Sequence, residues 1–364
     1  MTKRLRFLIV LLFFGQVLFA GNPDRQGEAG AYELVLNPWA RSAGLHSINI
    51  GSVSGVEAMR LNPAGINRIP GSQLLLAQTR YLVGTGIKLN AGGFATRMGK
   101  HGALGVSIMA IDFGEIKVTT DAAPEGTGVT YSPSFFNLGV GYSHNFEKVN
   151  VGILFRVITE STADINSTGF GLDAGVQYVT GSRDNIKFGI AIRNVGTPMR
   201  FKGPGLATRA DNPGEGNYQL TYSVRGATYE LPSLLNIGLS VKTFLTSKHM
   251  LTFDMGFTAN SFAQDLVGLG IEYSLDDKFM LRGAYKLELA QAGSKIQASV
   301  DNGLSAGASL DIPLKKKDIS EILGEEEEKV ETNKKAPPRI GLDYAYKMTT
   351  PFDGIHTLGI RLSF

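Results

Sequence analysis

The stretch Phe136–Phe146 reads FNLGVGYSHNF and alternates between two kinds of side chain. Its even-numbered positions are apolar or aromatic apart from one histidine, and its odd-numbered positions are asparagine, glycine or serine. Successive side chains of a β-strand point to opposite faces, so a period of two indicates a strand with one apolar and one polar face. Phe136 and Phe146 stand at the two ends of the apolar face, as aromatic residues do at the interfaces of a membrane.

The same alternation recurs in fourteen segments after residue 71, with turn residues between them. These segments are predicted near residues 72–81, 84–97, 102–112, 135–146, 149–160, 167–180, 185–195, 233–244, 248–258, 266–274, 279–286, 302–311, 339–347 and 355–363. An even number of antiparallel strands can close into a barrel without exposed edges. A secreted β-sandwich or β-helix would also alternate, but it needs no aromatic residues at the ends of uniformly apolar faces. The pattern therefore predicts an all-β chain that forms a 14-stranded antiparallel transmembrane β-barrel.

The connections between the segments sort by length. Links after even-numbered segments are short, as at 98–101 and 147–148, whereas links such as 113–134 and 196–232 follow odd-numbered segments and are long. Outer-membrane barrels have short periplasmic turns and longer extracellular loops. One link breaks this rule, because the insert at 312–338 falls on the periplasmic side and is long and highly charged. We interpret it as a solvated linker or a marginal helix, or as a segment that docks onto a periplasmic partner.

The first twenty residues indicate export. Three basic residues precede the apolar stretch Phe7–Phe19, and Ala20 is a plausible cleavage point. This order predicts a cleaved signal peptide at 1–20, since the apolar stretch is short for a transmembrane helix. Its removal leaves 33 of the 36 basic residues against 33 acidic ones, so the charge gives no argument for binding nucleic acid. The absence of cysteine excludes disulfides, thiolate metal sites and cysteine nucleophiles.

Residues 21–71 precede the barrel, which is predicted at 72–364. A short helix is expected at Val53–Met59, capped by Ser52 or Ser54, and a rigid turn follows it. The turn consists of Asn62, Pro63, Ala64 and Gly65. A barrel of fourteen strands is too wide to be filled by its own side chains. Within this N-terminal segment of 21–71, we therefore expect about Tyr32–Pro70 to fold back from the periplasmic side and form a luminal hatch.

The stretch LNPAGI (Leu61–Ile66) resembles the amino-terminal hatch of the FadL-type transporters. These are fourteen-stranded outer-membrane barrels with an internal plug, and they take up fatty acids and other hydrophobic compounds. The chain resembles the PorV/PorQ family, a FadL-like group from Bacteroidetes, more closely. The stretches that carry this resemblance are Ala40–Ile66, Gly105–Ile116, Gly189–Gly203 and Tyr229–Ser240.

The PorV/PorQ resemblance implies a role in type IX secretion. PorV-like members bind the carboxyl-terminal domains of secreted cargo and associate with a giant translocon barrel, and PorQ-like members belong to a cell-surface attachment complex. Our first hypothesis is thus an interaction component that holds cargo or a partner barrel through its extracellular loops. The alternative is a FadL-like transporter of small hydrophobic molecules, and a third hypothesis is a barrel without a transport role. A transporter requires an apolar pocket that reaches the hatch, whereas an interaction module can keep a polar, sealed lumen.

Charged residues of both signs fall on the predicted luminal faces. They include Arg156, Asp173, Arg193, Asp254, Glu272, Arg282, Asp343 and Arg361. Such charges are tolerated inside a barrel when they are paired or hydrated, but are costly on the lipid face. They could line a conduction path, but we favour a salt-bridge network that holds the hatch and stiffens the wall.

The long link at 196–232 is the predicted partner-binding loop, because aromatic residues and arginine are enriched at interfaces. Its candidate contact residues are Met199, Arg200, Phe201, Tyr218 and Tyr222. The loop could also form a small hairpin that offers an edge for strand addition, or pack over the mouth of its own barrel. No catalytic motif, metal-ligand spacing or cofactor motif stands out, so we predict a monomeric, non-enzymatic barrel in outer-membrane lipid.

Overall fold

Fourteen antiparallel strands form one closed barrel in the computed structural model, which describes residues 25–211, 218–289, 303–314, 337–350 and 352–364. Every strand pairs with its neighbours in chain order, and the first strand pairs with the last. The strands are β1 (Ser72–Arg80), β2 (Lys88–Met98), β3 (Gly102–Asp112), β4 (Ser134–Phe146), β5 (Val149–Thr162), β6 (Ile165–Thr180), β7 (Ile186–Gly196), β8 (Leu234–Phe244), β9 (His249–Asn260), β10 (Leu266–Leu275), β11 (Phe279–Glu288), β12 (Gly303–Pro313), β13 (Arg339–Lys347) and β14 (Ile355–Ser363). The predicted fold class is confirmed.

Each predicted segment corresponds to one strand, and the differences lie at strand ends. β5 and β6 continue beyond the predicted limits and meet at a turn of two residues, Ala163 and Asp164. Three of the four added residues, Ser161, Thr162 and Asn166, are polar, so the apolar alternation that marks a membrane-spanning strand does not extend to them. β2 begins at Lys88 rather than at residue 84, because Gly84 and Gly86 have φ of 103° and 80° and form a turn instead.

The two faces of the barrel wall differ as the alternation predicts. In β4, Phe136, Val140 and Tyr142 are exposed on the outside, while Asn137 and Ser143 are buried against the lumen. The outward residues of the other strands continue this apolar surface around the barrel. A water-soluble monomer rarely exposes a continuous apolar surface of this extent, whereas an outer-membrane barrel presents one to lipid. Within the described residues, no helix is long and apolar enough to cross a membrane.

The two ends of the barrel are unequal. Strands meet at short turns at one end, which is therefore the periplasmic end, for example at 99–101 and 147–148. The opposite end carries small two-stranded sheets in its longer loops. These sheets pair Ile116–Lys117 with Thr130–Tyr131, Met199–Arg200 with Thr228–Tyr229, and Ala207–Asp211 with Gln219–Ser223. The predicted signal peptide and most of the insert at 312–338 lie outside the described residues.

The hatch fills the lumen from end to end. At the extracellular end, Gly30 donates its N–H to the carbonyl of Glu230, at 3.0 Å. The chain then descends through helix α1 (Ala40–Gly44) and through a 3₁₀ turn at Gly55–Glu57 that continues into α2 (Ala58–Leu61). A second 3₁₀ turn, Pro63–Asn67, leads to the periplasmic start of β1. The chain thus enters β1 from the periplasmic side, but the hatch extends further than we expected.

The predicted helix at Val53–Met59 is displaced by two residues, since the helical turns run from Gly55 to Leu61. Ser54 occupies the N-cap position, but its side chain makes no capping hydrogen bond. Ser52 does not cap the helix either. Its hydroxyl donates instead to the Asp254 carboxylate on β9, at 3.0 Å. Ser52, which the local sequence predicted as a helix cap, is therefore hydrogen-bonded to the barrel wall instead.

The lipid-facing position of the apolar wall can be tested with a charge. Leu172 lies at the centre of β6 and is 50% exposed on the outside, opposite Phe155 of β5. We expect Leu172→Arg to lower the free energy of unfolding by about 2–4 kcal/mol, the cost of arginine near the bilayer midplane. Urea unfolding of protein folded into lipid vesicles measures this. The control Val129→Arg changes an exposed loop residue and should be neutral; equal destabilisation by both variants would contradict the assignment.

Candidate functional site: the hatch and the lumen

Glycines on the luminal wall let the hatch lie directly on strand backbones. One row crosses four neighbouring strands in register and consists of Gly189, Gly238, Gly256 and Gly268. A Cβ added to Gly256 would lie 2.9 Å from the Cβ of Ile48, and one added to Gly238 would lie 2.9 Å from the Cβ of Ile50. This glycine row therefore forms a surface, called the glycine seat here, on which the segment Ile48–Gly51 packs against the strand backbones.

The Asn-Pro-Ala-Gly turn sits in a second glycine seat. The carboxamide oxygen of Asn62 accepts the N–H of Ala64 at 3.2 Å, and so caps the 3₁₀ turn that begins at Pro63. The Asn62 amide donates to the carbonyl of Val176 at 3.1 Å. A Cβ at Gly152 would collide with the Pro63 carbonyl group, and one at Gly175 would collide with the Asn62 side chain. The predicted hatch motif is therefore a rigid wedge that is hydrogen-bonded to the wall.

Apolar packing anchors the hatch to one side of the barrel. The largest buried cluster joins Trp39, Val56, Met59, Leu61 and Ile66 of the hatch to side chains of β1, β2, β3 and β5. The wall contributes Leu75, Ala77, Leu89, Ala91, Ala95, Ala103, Met109, Ile111 and Leu154. Full burial of a large apolar side chain contributes about 1.5–3 kcal/mol, so this contact holds the hatch against β1–β5.

Four of the eight predicted luminal charges bind the hatch. Arg156 donates to the Met59 carbonyl at 3.2 Å, and Arg193 donates to the Leu34 carbonyl at 3.0 Å. Glu272 accepts from Arg41 of α1 at 3.0 Å. Asp254 accepts from Ser52, as described above. These contacts support the structural interpretation of the luminal charges rather than a conduction lining.

The other four predicted charges form ion pairs along the wall, two of them with charges that also bind the hatch. All eight are at most 9% exposed, and the ion pairs between them stay within the lumen. Arg156 pairs with Asp173 at 2.9 Å, Arg282 with Glu272 at 3.0 Å, and Arg361 with Asp343 at 3.7 Å. Removing one partner of a buried pair costs more than the pair itself contributes, because the other charge is left unpaired.

An N-terminal strap, residues 25–36, lies across the extracellular end. Arg60 of α2 holds it from below by donating to the carbonyls of Leu36, at 2.6 Å, and Glu33. From above, Tyr229 donates its hydroxyl to Glu160 of β5, beside Glu33. Burial, followed by the neighbouring Glu160 carboxylate, raises the pKa of Glu33 from its ordinary 4.5 to about 8. Burial beside a second carboxylate therefore favours the protonated form of Glu33 in the strap.

The predicted partner-binding loop divides into two parts. Met199 is 1% exposed, because it packs with Ala31, Leu34 and other residues under the strap, so a partner cannot reach it. Phe201 rests against the ring of Tyr229, at 5.8 Å between centroids. Arg200 is partly buried in the same sheet of the loop. This half of the loop packs over its own barrel mouth, as the alternative interpretation expected.

The other half of the loop stands free of the barrel. The hairpin Ala207–Asp211 and Gln219–Ser223 is exposed along both strands. One face of it carries Tyr218, 58% exposed, with Leu220 and Tyr222. Tyr218 and Tyr222 thus keep the accessibility that a partner-binding residue requires.

Three cavities follow the lumen. An upper cavity of about 70 Å³ lies between the hatch and the extracellular half of the wall, and a lower chamber of about 180 Å³ lies beneath Leu45 and Asn49. A periplasmic mouth of about 640 Å³ continues from the chamber. The mouth is mostly basic, with Arg68, Arg97, Lys148, Arg183, Lys187 and Lys242 against Glu147 and Asp184. In the part of the chain that the structure describes, no group of three or more histidine or acidic side chains could hold a metal ion.

Sequence reasoning missed Glu33, Arg60 and the glycine seat of Ile48. The glycines did carry a signal, since they recur at luminal positions of adjacent strands, but their register with one another depends on the strand pairing. Glu33 and Arg60 lie outside the alternating segments, where no period indicates burial.

Comparison with solved structures identifies the fold. The monoaromatic hydrocarbon channel CymD shares 15% sequence identity, with a TM-score of 0.54, over 92% of this chain and 99% of that chain. A FadL homologue from Pseudomonas aeruginosa shares 12% identity, with a TM-score of 0.50, over 89% of this chain and 97% of that chain. The chain has the FadL-like fold. With the apolar outer wall, this fold indicates an outer-membrane barrel, and CymD is a channel rather than an enzyme.

No family model matches the chain, and no curated protein sequence matches it. The resemblance of the sequence to FadL-type transporters agrees with the FadL-like fold. The PorV/PorQ resemblance stays a prediction.

The strap should respond to pH. A carboxyl with a raised pKa in the folded protein favours folding at pH below its ordinary 4.5, and this contribution is lost as the pH rises through about 8. We expect the amide of Gly30 to exchange hydrogen faster above pH 8 than the intrinsic pH dependence accounts for, and Glu33→Gln to abolish that excess. The control Glu28→Gln, at an exposed carboxylate of the same strap, should keep the excess. If the excess exchange of the Gly30 amide persisted in Glu33→Gln, Glu33 would not be its cause.

Proposed function

We propose that the protein is a gated channel that carries small hydrophobic molecules across the outer membrane, with the hatch closing its lumen. The observation that carries this proposal is the upper cavity, where the hatch and the wall present apolar side chains to one another. The apolar residues that line it are Val35, Leu36, Ala43 and Leu61 of the hatch and Leu89, Leu234, Leu266, Ala345 and Ile355 of the wall. Ligand sites are typically concave and apolar, with a few polar groups.

The fold supports the same proposal. CymD, which resembles this chain over nearly its whole length, is a monoaromatic hydrocarbon channel. Fold alone does not establish function, so the argument rests on the cavity. The apolar lining ends at the hatch, and the chamber below it is lined by charged groups such as Arg41, Glu57 and Lys187. A hydrophobic molecule can therefore pass from the upper cavity towards the periplasm only when the hatch moves.

The volume of the upper cavity leads to the same conclusion. An apolar cavity that binds benzene in another protein has a volume of about 150 Å³. The upper cavity holds about 70 Å³, and so is too small for one aromatic ring while the hatch is closed. Binding should therefore displace part of the hatch, which makes the hatch a reporter of occupancy.

Trp39 provides the experiment, because it is the single tryptophan of the chain and lies 2% exposed in the apolar cluster of the hatch. We expect toluene to change Trp39 fluorescence saturably in purified protein. Leu234→Asn should weaken this response about tenfold or more, since a buried leucine contributes about 1.5–3 kcal/mol.

The neighbouring Leu235 is the matched control, because it points outward from the same strand. Leu235→Asn should respond to toluene like the unmodified protein. A response that does not saturate, or that is equal in all three proteins, would mean that toluene acts through the detergent and not through the upper cavity.

A second function is favoured by the free hairpin of the 197–233 loop. Its exposed apolar face and two tyrosines fit a protein partner, and a strand edge can pair with an extended segment of another chain. The sequence resemblance names the partners to expect, a type IX translocon barrel or the carboxyl-terminal domains of secreted cargo. Under this hypothesis the sealed lumen is permanent, and the barrel serves as a platform.

Gentle detergent extraction from the native outer membrane, followed by mass spectrometry, tests this second function. We expect a partner that co-purifies with the unmodified protein to be lost from Tyr218→Ser/Tyr222→Ser. The control Tyr131→Ser changes a tyrosine in another extracellular loop and should retain the partner. If the same proteins co-purify with all three, the hairpin is not the docking surface.

A further inference from the structure

The three cavities have strands β7 and β8 in common. Strands β7, β8 and β9 contribute to the upper cavity through Arg193, Asn236 and Thr258, and to the lower chamber through Lys187, Ser240 and Asp254. Lys187 also lines the periplasmic mouth. The cavities thus form an interrupted column, and β7 and β8 are the strands that line all three parts of it. β1 and β2 also line the upper cavity, through Thr79 and Leu89, but with β3 and β5 they hold the packed apolar cluster of the hatch.

One short piece of the hatch interrupts this column. Ile48 and Ile50 rest on the glycine row of β7–β10, between the upper cavity and the lower chamber. Ile48 shares only a small buried cluster with Leu45 and Ala284. Gly51 continues the contact, since a Cβ there would lie 2.8 Å from the Lys187 carbonyl oxygen. The Ile48 and Ile50 side chains and the backbone up to Gly51 therefore form this part of the seal, against wall positions that carry no side chain.

The segment is strained at its start. His46 and Ser47 have φ of 52° and 62°, so two consecutive residues other than glycine adopt the left-handed conformation. Such residues are uncommon, and they persist where the surrounding structure imposes them, often at switch regions. The hydrogen bond from Ser47 N–H to the Ser42 carbonyl, at 2.8 Å, holds the bend. Movement of the segment off its seat would release this strain.

Two polar oxygens at the lower face of the segment lack hydrogen-bond donors among the described residues. The Asn49 carboxamide oxygen and one carboxylate oxygen of Asp254 are buried and accept no hydrogen bond from the described residues. Both residues line the lower chamber. Buried polar oxygens of this kind are normally satisfied by water, and a chamber of about 180 Å³ has room for several molecules. The segment thus lies between a cavity whose lining is mostly apolar and a polar chamber.

The opposite side of the hatch is held by apolar packing. Val56 and Met59 also rest on wall glycines, at Gly93 and Gly105, but they belong to the large apolar cluster. Arg156 fixes the Met59 carbonyl from the wall. Separation of this half of the hatch from the wall would expose many more apolar side chains than separation of Ile48 from its small cluster.

We infer that the segment Leu45–Gly51 is the gate of the lumen. It lifts from the glycine row of β7–β10, while the remainder of the hatch stays anchored to β1–β5, and its movement joins the upper cavity to the lower chamber. The path it opens runs along β7–β9. Ile48 and Ile50 vacate space beside the upper cavity, so the route takes a single apolar ring or a short alkyl chain. The ligand of the gate rests on the proposed function, whereas the position of the gate rests on the structure alone.

Ion conductance tests the gate without a hydrophobic ligand. Removing the two gate side chains should join the cavities, so Ile48→Ala/Ile50→Ala in planar lipid bilayers should show conductance steps that the unmodified protein lacks. The matched control is Val56→Ala/Met59→Ala, which shortens two side chains seated on wall glycines of the anchored side. The control should remain closed. Equal conductance in both variants, or conductance in the control alone, would overturn the assignment.

A cysteine lock tests the movement itself and does not depend on a destabilised hatch. The chain has no cysteine, so an introduced pair reacts only with itself. Ile50→Cys/Gly238→Cys joins the gate to its seat, and Val56→Cys/Gly93→Cys joins the hatch to the anchored side. We expect oxidation of the gate pair to abolish the Trp39 response to toluene and reduction to restore it, with no effect of oxidation in the anchored pair.

The opposite pattern, loss of the response only in the anchored pair, would place the moving part on β1–β5 and overturn the gate. The conductance result separates this outcome from failure of the proposed function. The unmodified protein could give no toluene response while Ile48→Ala/Ile50→Ala conducts and the control stays closed. This result would support the gate and contradict the proposal of a hydrophobic substrate.

Discussion

The contact between the hatch and the luminal glycines is the constraint on which the rest of the structure depends. A ring of fourteen strands encloses more space than its own side chains can fill, and empty space costs the wall its packing contacts. The hatch fills that space only because the wall lacks Cβ atoms where the hatch touches it, at Gly152, Gly175, Gly238 and Gly256. A methyl group at any of these positions would push the hatch inward and away from its hydrogen-bond partners.

The buried charges follow from the same constraint. Short helical turns and loops in the hatch leave carbonyl groups that have no partner within their own element. Arginines supply the missing donors, from the wall at Arg156 and Arg193 and from within the hatch at Arg60. Carboxylates of the wall, such as Glu272, balance the arginines and position α1 through Arg41. The luminal charges therefore bind the irregular backbone of the hatch. This role explains why the lumen is polar although the proposed substrate is hydrophobic.

Sequence alone predicted the wall well, because a strand between lipid and lumen has a period of two that no other part of the molecule obscures. The positions of Arg156, Asp173 and Arg361 inside the barrel followed from that period. The hatch was predicted as an element but not in detail. Ser54 was a reasonable cap by local rules, yet Met199 and Glu33 are buried by contacts between parts of the chain that lie more than 100 residues apart. Such contacts leave no periodic trace, so the strap and the gate appear only in three dimensions.

The path of the hatch has a consequence for assembly. The strap lies at the extracellular end, next to Glu230, while β1 starts at the periplasmic end, where Ser72 pairs with Phe364 beside the closing β1–β14 seam. About forty residues therefore run the full height of a cylinder whose two edge strands are the first and the last of the chain. Once that seam has formed, the lumen is narrow and partly lined by charge, and a strap left outside would have to be drawn through it. Insertion of the hatch must precede or accompany closure of the seam, so the order of folding is built into the topology.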